Sequence, residues 1–139
     1  MFVRHDSDEP ESPLRTGQAG NEFKPVIDGE PDLLVSKQVN SAFYGAPDLD
    51  GWLRSAGLES VTVCGITTSH CCETTVRMAG NLGYETLFAI DATHGFDLTG
   101  PDGEVVTADE LARASAANLD GEFAEVVPTA ELVERLRSS

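Results

Sequence analysis

One stretch, Val61 to Tyr84 (VTVCGITTSHCCETTVRMAGNLGY), limits what this chain can fold into. It opens on β-branched residues, Val61, Thr62 and Val63, which read as a buried strand, breaks at Gly65, and then takes on helical spacing. Cys71 falls in the first turn of that helix. The first amides of a helix have no intrahelical acceptor and carry the positive end of its dipole, so a thiol placed there is stabilised as thiolate relative to a free cysteine, whose pKa is about 8.5. A strand, a tight turn and a helix start presenting a cysteine predict chemistry at Cys71.

The rest of the chain alternates in the same way. Met1 to Val3 reads as a short strand delivering Arg4 and His5 to a loop, and Leu33 to Ser36 as a second strand delivering Lys37 to the same edge. Between them, residues 6–32 carry Pro10, Pro13, Pro25 and Pro31 with Gly17, Gly20 and Gly29, the composition of an irregular loop. A loop of that length in a compact domain is functional or disordered. Asp48 to Ala56 places Leu49, Trp52, Leu53 and Ala56 on one helical face, with Gly57 as its end and Trp52 in the core. After the central strand Val61 to Cys64 and its helix come a strand, Glu85 to Asp91, with His94 and Phe96 in the following loop, and a turn at Pro101-Asp102-Gly103. A helix from Thr107 to Leu119 follows, capped by Thr107 and Glu110, then a strand, Phe123 to Val127, and a helix, Thr129 to Leu136. Strands alternating with helices predict an α/β fold with a parallel sheet, and a length of 139 residues predicts one domain.

Charge narrows the partners. Nine Lys and Arg stand against 24 Asp and Glu, a net charge of -15. Phosphate backbones and anionic membrane surfaces require a basic patch, so nucleic acid and membrane are not expected as partners. The acids are spread along the chain, as on a solvated acidic surface. No apolar run approaches membrane-spanning length, and the start MFVRHDSDEPES has no signal-peptide core. Three cysteines at 64, 71 and 72 make no disulfide framework, so a reducing cytoplasm is the expected compartment.

Gly65-Ile66-Thr67-Thr68-Ser69-His70-Cys71-Cys72-Glu73-Thr74-Thr75 resembles the nucleophile motif of the isochorismatase-like cysteine hydrolases: Gly, aliphatic, small, Thr, two variable residues, Cys, usually Val, two more, then Thr. Cys72 stands where Val is common. The resemblance extends to Lys37 with Ser41-Ala42-Phe43, to Gly83-Tyr84 and to Asp91-Ala92, covering the chain from Phe2 to about Leu132. It implies a Rossmann-like parallel sheet of strand order 3-2-1-4-5-6 with helices on both faces and a site at the carboxyl ends of the strands. By the same resemblance Cys71 is the nucleophile and Lys37 the catalytic lysine. The Ile66–Thr67 peptide is cis, and the backbone amides of Thr67 and Cys71 form the oxyanion hole. The family implies a small-molecule amide substrate, no cofactor, and homo-oligomeric assembly. Metal-binding members carry Asp-x-His after the second strand, which Arg4-His5-Asp6 does not reproduce, so no metal is expected.

Other residues of the motif take structural roles in this reading. Cys72 lies about 100° around the helix from Cys71 and packs inward, His70 sits at a surface or pocket rim, and Asp91 braces its loop. One departure from the family is serious. Its members begin with a strand carrying the aspartate that serves as general base, and this chain starts at what is their second strand. The expectation is a single isochorismatase-like domain over residues 1–139, truncated at its N-terminus, with Asp6 or Asp8 as unsupported stand-ins for the base. Two functions stay open: a hydrolase that cleaves the C–N bond of a small amide through a Cys71 acyl-enzyme, and a catalytically inactive relative that serves binding or assembly. Redox chemistry at Cys71-Cys72 ranks third, since no Cys-x-x-Cys spacing exists.

Overall fold

The computed structural model describes residues 1–138, in two compact units, residues 1–57 and the remainder from residue 58. In the first unit, strands β1 (Phe2–His5) and β2 (Leu34–Lys37) form a parallel pair in the register Phe2 with Leu34 through His5 with Lys37. Both strands run to their polar ends, so Lys37 closes β2 instead of following it. The connection over residues 6–32 contains turns but no helix or strand, in keeping with its prolines and glycines. It is fastened at Asn21, which is buried, and the Phe23 ring lies 5.4 Å from that of Phe2.

After β2 the chain makes a short 3-10 turn, Ala42–Tyr44, begun by the Ser41 hydroxyl accepting from the Phe43 N–H at 3.2 Å. It then doubles back so that Ser36 and Ala46 exchange both backbone hydrogen bonds. A side chain at Gly45 would come within 2.4 Å of Val35 Cγ1, so this close return requires glycine. Helix α1 (Leu49–Ser55) buries Leu49 and Leu53. Trp52 is half-buried and Ala56 exposed, against the four-residue face expected from spacing: two turns of helix bring only one i, i+4 pair fully inside.

The second unit is built on a parallel sheet of order β3 (Ser60–Ile66), β4 (Glu85–His94), β7 (Glu125–Val127). The β1-β2 pair and the β3-β4-β7 sheet are separately hydrogen-bonded. The fold is α/β with parallel sheets and helices. Helix α2 (Glu73–Asn81) follows β3, α3 (Ala108–Leu119) precedes β7, and α4 (Thr129–Ser138) closes the chain. Cys72, Val76, Phe88 and Leu119 make one apolar cluster, and Ala89, Val127 and Leu132 a second. Phe88 is completely buried, a contribution of about 2–3 kcal/mol from removal of its surface from water. Inward packing of Cys72 follows the reading from its helical angle.

β3 and β4 run further than their apolar residues suggest because pairing resumes beyond an irregularity. The register steps from Val63 with Phe88 to Gly65 with Thr93, so the chain from Ala89 to Ala92 bulges out of the ladder. Gly65 turns there with a φ of 127°, a conformation open to glycine. His94 therefore ends a strand, where the sequence suggested a loop. A hairpin of two-residue strands, β5 (Leu98–Thr99) and β6 (Val105–Val106), spans the Pro101-Asp102-Gly103 turn and is too short to leave a periodic signal. The α3 cap has both halves of its box: Glu110 N–H donates to the Thr107 hydroxyl at 3.2 Å and Thr107 N–H to the Glu110 carboxylate at 2.9 Å. Among the described residues no helix is long and apolar enough to cross a membrane.

Candidate active site

Past Gly65 the Ile66–Thr67 peptide is cis. The backbone then winds into a π-helical turn, Thr68–Cys72, in which the Cys72 N–H reaches back five residues to the Thr67 carbonyl at 3.1 Å before α2 begins. This wider turn replaces the ordinary helix start expected from spacing, and π-turns recur at functional sites. It carries Cys71 half-buried, Cys72 inward and His70 outward, and brings Thr67 and Cys71 onto one loop of backbone. The Thr67 hydroxyl and His70 Nδ1 stand 3.3 Å apart, which ties the outer side of the turn to itself.

Two threonines fix the inner side. Thr93 Oγ1 donates to the Ile90 carbonyl at 2.7 Å, so it accepts from Thr68 Oγ1 at 2.8 Å. Thr68 is thereby held to the bulge of β4. Beside it opens a cleft of about 400 Å³ whose lining includes Thr68, Thr93, His94, Ala108 and Ala112. Asp91, on the same bulge, turns to α4 and accepts from the Thr129 N–H at 2.8 Å and the Thr129 hydroxyl at 2.6 Å. Those bonds hold its carboxyl below the usual range, and its role is to brace the start of the last helix.

In the first unit Lys37 is buried, with 5% of its surface exposed. Its Nζ lies 3.1 Å from His5 Nδ1, across the last register pair of β1 and β2, and donates to the Val39 carbonyl at 3.0 Å. Burial, and next the Lys37 charge, hold the His5 imidazole below its ordinary pKa, with Asp6 pulling the other way.

Asp6 does not offer a free base. Its carboxylate accepts from Arg4 Nε at 2.8 Å, from Asn21 Nδ2 at 2.8 Å and from the Ser36 hydroxyl. These donors, Arg4 first, hold it at about 2. Such a carboxylate is a poor proton acceptor at neutral pH. Asn21 also donates to the His5 and Leu14 carbonyls, at 2.9 and 3.1 Å, so one buried amide ties the long loop to the end of β1. Neither His5 as the partner of Lys37 nor Asn21 was singled out by the sequence. Two strands ending in His and Lys gave a faint signal for the first, and nothing marks the second. Among the described residues no group of three or more His, Cys, Asp or Glu comes together as a metal site.

Residues 2–131 match the family described as Isochorismatase domain. An uncharacterized isochorismatase family protein of Bacillus subtilis, YrdC, is 32% identical over 134 residues, covering 96% of this chain and 71% of that protein. Nicotinamidase 3 of Arabidopsis thaliana is 34% identical over 114 residues, 80% of this chain but 52% of the relative. Among solved structures, an isochorismatase-family protein from Chromobacterium violaceum superimposes with a TM-score of 0.92 at 41% identity, covering 99% of this chain and 72% of its own. A cysteine hydrolase from Pseudomonas syringae pv. phaseolicola superimposes with a TM-score of 0.86 at 27% identity, covering 99% of this chain and 71% of its own.

Proposed function

The chain belongs to the isochorismatase family, and from that premise we propose that it is a cysteine hydrolase cleaving the C–N bond of a small amide through an acyl-enzyme on Cys71. The observation that carries the reading is the place of Cys71, a half-buried thiol on the π-turn between the end of a parallel strand and α2. An amide substrate is supported by the nicotinamidase among the relatives, and the use of cysteine by the cysteine hydrolase among the similar structures.

In this mechanism Cys71 Sγ gives up its proton and bonds to the carbonyl carbon, and the carbonyl electrons move to oxygen. The backbone N–H groups of Thr67 and Cys71 receive that oxyanion, each worth about 3–4 kcal/mol of barrier. Collapse breaks the C–N bond, and the amine leaves carrying the proton that the thiol gave up. Water then adds to the thioester, the C–S bond breaks, and acid and thiol are released. Lys37 supplies the positive charge that the family's lysine brings to the ionised groups.

A second reading, a family member that binds an amide without turning it over, is favoured by one observation: Asp6, a candidate for the base, has its oxygens occupied by Arg4, Asn21 and Ser36. Intact-mass spectrometry with a panel of small carboxamides including nicotinamide, alongside ammonia release, separates the readings. An acyl adduct on Cys71 with ammonia in solution, both absent from Cys71→Ala, supports the hydrolase. Saturable binding with neither supports the second reading, and no binding and no adduct overturns both.

A further inference from the structure

We infer that His5 is the positioning residue for Lys37: its neutral imidazole, protonated on Nε2, accepts a hydrogen bond at Nδ1 from the Lys37 ammonium and holds that charge in place. The assignment follows from what each group can do. A lysine ammonium has three donors and no acceptor, so at 3.1 Å from Nζ the Nδ1 atom must be the acceptor, which puts the ring proton on Nε2. Lys37 is buried, and a buried ammonium needs acceptors around it; His5 Nδ1 and the Val39 carbonyl are two. His5 is itself held from behind, because buried Asn21 donates to its carbonyl and β1 pairs it with Lys37 in register. The role of His5 in catalysis rests on the proposed hydrolase reading; the pairing itself does not.

The same geometry makes the arrangement sensitive to acid. The charged groups facing the imidazole are the Lys37 ammonium on β2 and the Asp6 carboxylate next in the chain, the latter already paired with Arg4. Protonating His5 turns Nδ1 from acceptor to donor and sets two cations 3.1 Å apart. Lys37 must then leave its place. Burial and Lys37 lower the His5 pKa, so the neutral ring persists to a pH below 6.5 and the displacement comes only under acid conditions.

The test uses the whole chain, isotopically labelled, with nitrogen NMR of the His5 ring and carbon NMR of Lys37 Cε. The expected result is a neutral His5 with Nδ1 unprotonated at pH 7.5, and a Lys37 Cε resonance that shifts at the His5 midpoint as pH falls. In His5→Asn, whose carboxamide oxygen accepts near Nδ1 without titrating, that shared step disappears. A ring proton on Nδ1 at pH 7.5, or a Lys37 resonance indifferent to His5 titration, would overturn the inference. Activity supplies the second arm. The wild-type rate falls on the acid side of the ordinary histidine pKa, His5→Asn flattens that limb, and His5→Ala loses about tenfold at all pH values, restored in part by Asn. Turnover with an acid limb unchanged in His5→Asn overturns the inference alone, whereas no turnover with the NMR linkage intact removes the hydrolase reading and leaves the pairing standing.

Discussion

The turn that carries Cys71 and the strand end that carries Lys37 are held by different means. Around Cys71 the backbone does the holding: Gly65 with its positive φ, the five-residue reach from Cys72 to Thr67, and α2 beyond. Around Lys37 the holding is done by side chains, with His5, Asp6, Arg4, Ser36 and Asn21 bonded to one another or to nearby carbonyls. A backbone device tolerates changes in the side chains around it, while a side-chain network loses several partners with each member removed. The two regions should therefore answer mutation and pH in opposite ways.

The largest expected effect is on the backbone-built turn and is purely catalytic. Cys71→Ala should abolish acyl-adduct formation, with a loss of at least about 10³-fold in amide turnover, while leaving the urea midpoint near that of wild type because the thiol is only half-buried. A large stability loss in this variant would mean the turn depends on its side chain after all. Next comes the network. Asn21→Ala removes the donor shared by His5, Asp6 and Leu14, and should cost about 2–3 kcal/mol in urea unfolding, since buried acceptors lose their partner.

Acid should sharpen the contrast. The folded-state pKa of Asp6, about 2, lies below its ordinary 3.8, so its bonds stabilise the fold fully above pH 4 and are lost as pH falls from about 4 to 2. The amount, discounted for partial exposure, is about 1–2 kcal/mol. The difference in unfolding free energy between wild type and Asp6→Asn, followed across that range, should shrink by this much; a constant difference would mean the network does not depend on the carboxylate's charge. The smallest effect belongs to neither region. Thr107→Ala, which removes the α3 cap, should cost about 1 kcal/mol and leave amide turnover unchanged.

The two regions also differ in how well their residues could be read. The Cys71 turn is contiguous, so its glycine, threonines and cysteine lie in one line of sequence and resemble a known motif. Only the widening of the helix into a π-turn escaped, because a single extra residue in one turn hardly changes the spacing of apolar side chains. The Thr107–Glu110 cap was equally legible, being a local four-residue device. Asn21, by contrast, meets His5 and Asp6 from within a loop that has no periodicity, 16 and 15 residues away in the chain. Its burial has no local signature, since an asparagine among glycines and prolines reads as a turn residue. The His5–Lys37 contact depends on the register of a parallel pair, and with so few apolar residues in β1 and β2 the sequence leaves that register open. The bulge from Ala89 to Ala92 interrupts alternation in the same way, which is why β4 runs past Asp91 to His94.

The central claim, that the backbone of the turn makes Cys71 the reactive thiol, is tested most directly by competition among the three free cysteines under brief, limiting iodoacetamide at neutral pH, read by peptide mass spectrometry. Cys64 is exposed, Cys71 half-buried and Cys72 buried, so accessibility alone orders labelling as Cys64, then Cys71, then Cys72. The account predicts that Cys71 is labelled first, ahead of the more exposed Cys64. Labelling in the order of exposure would contradict it.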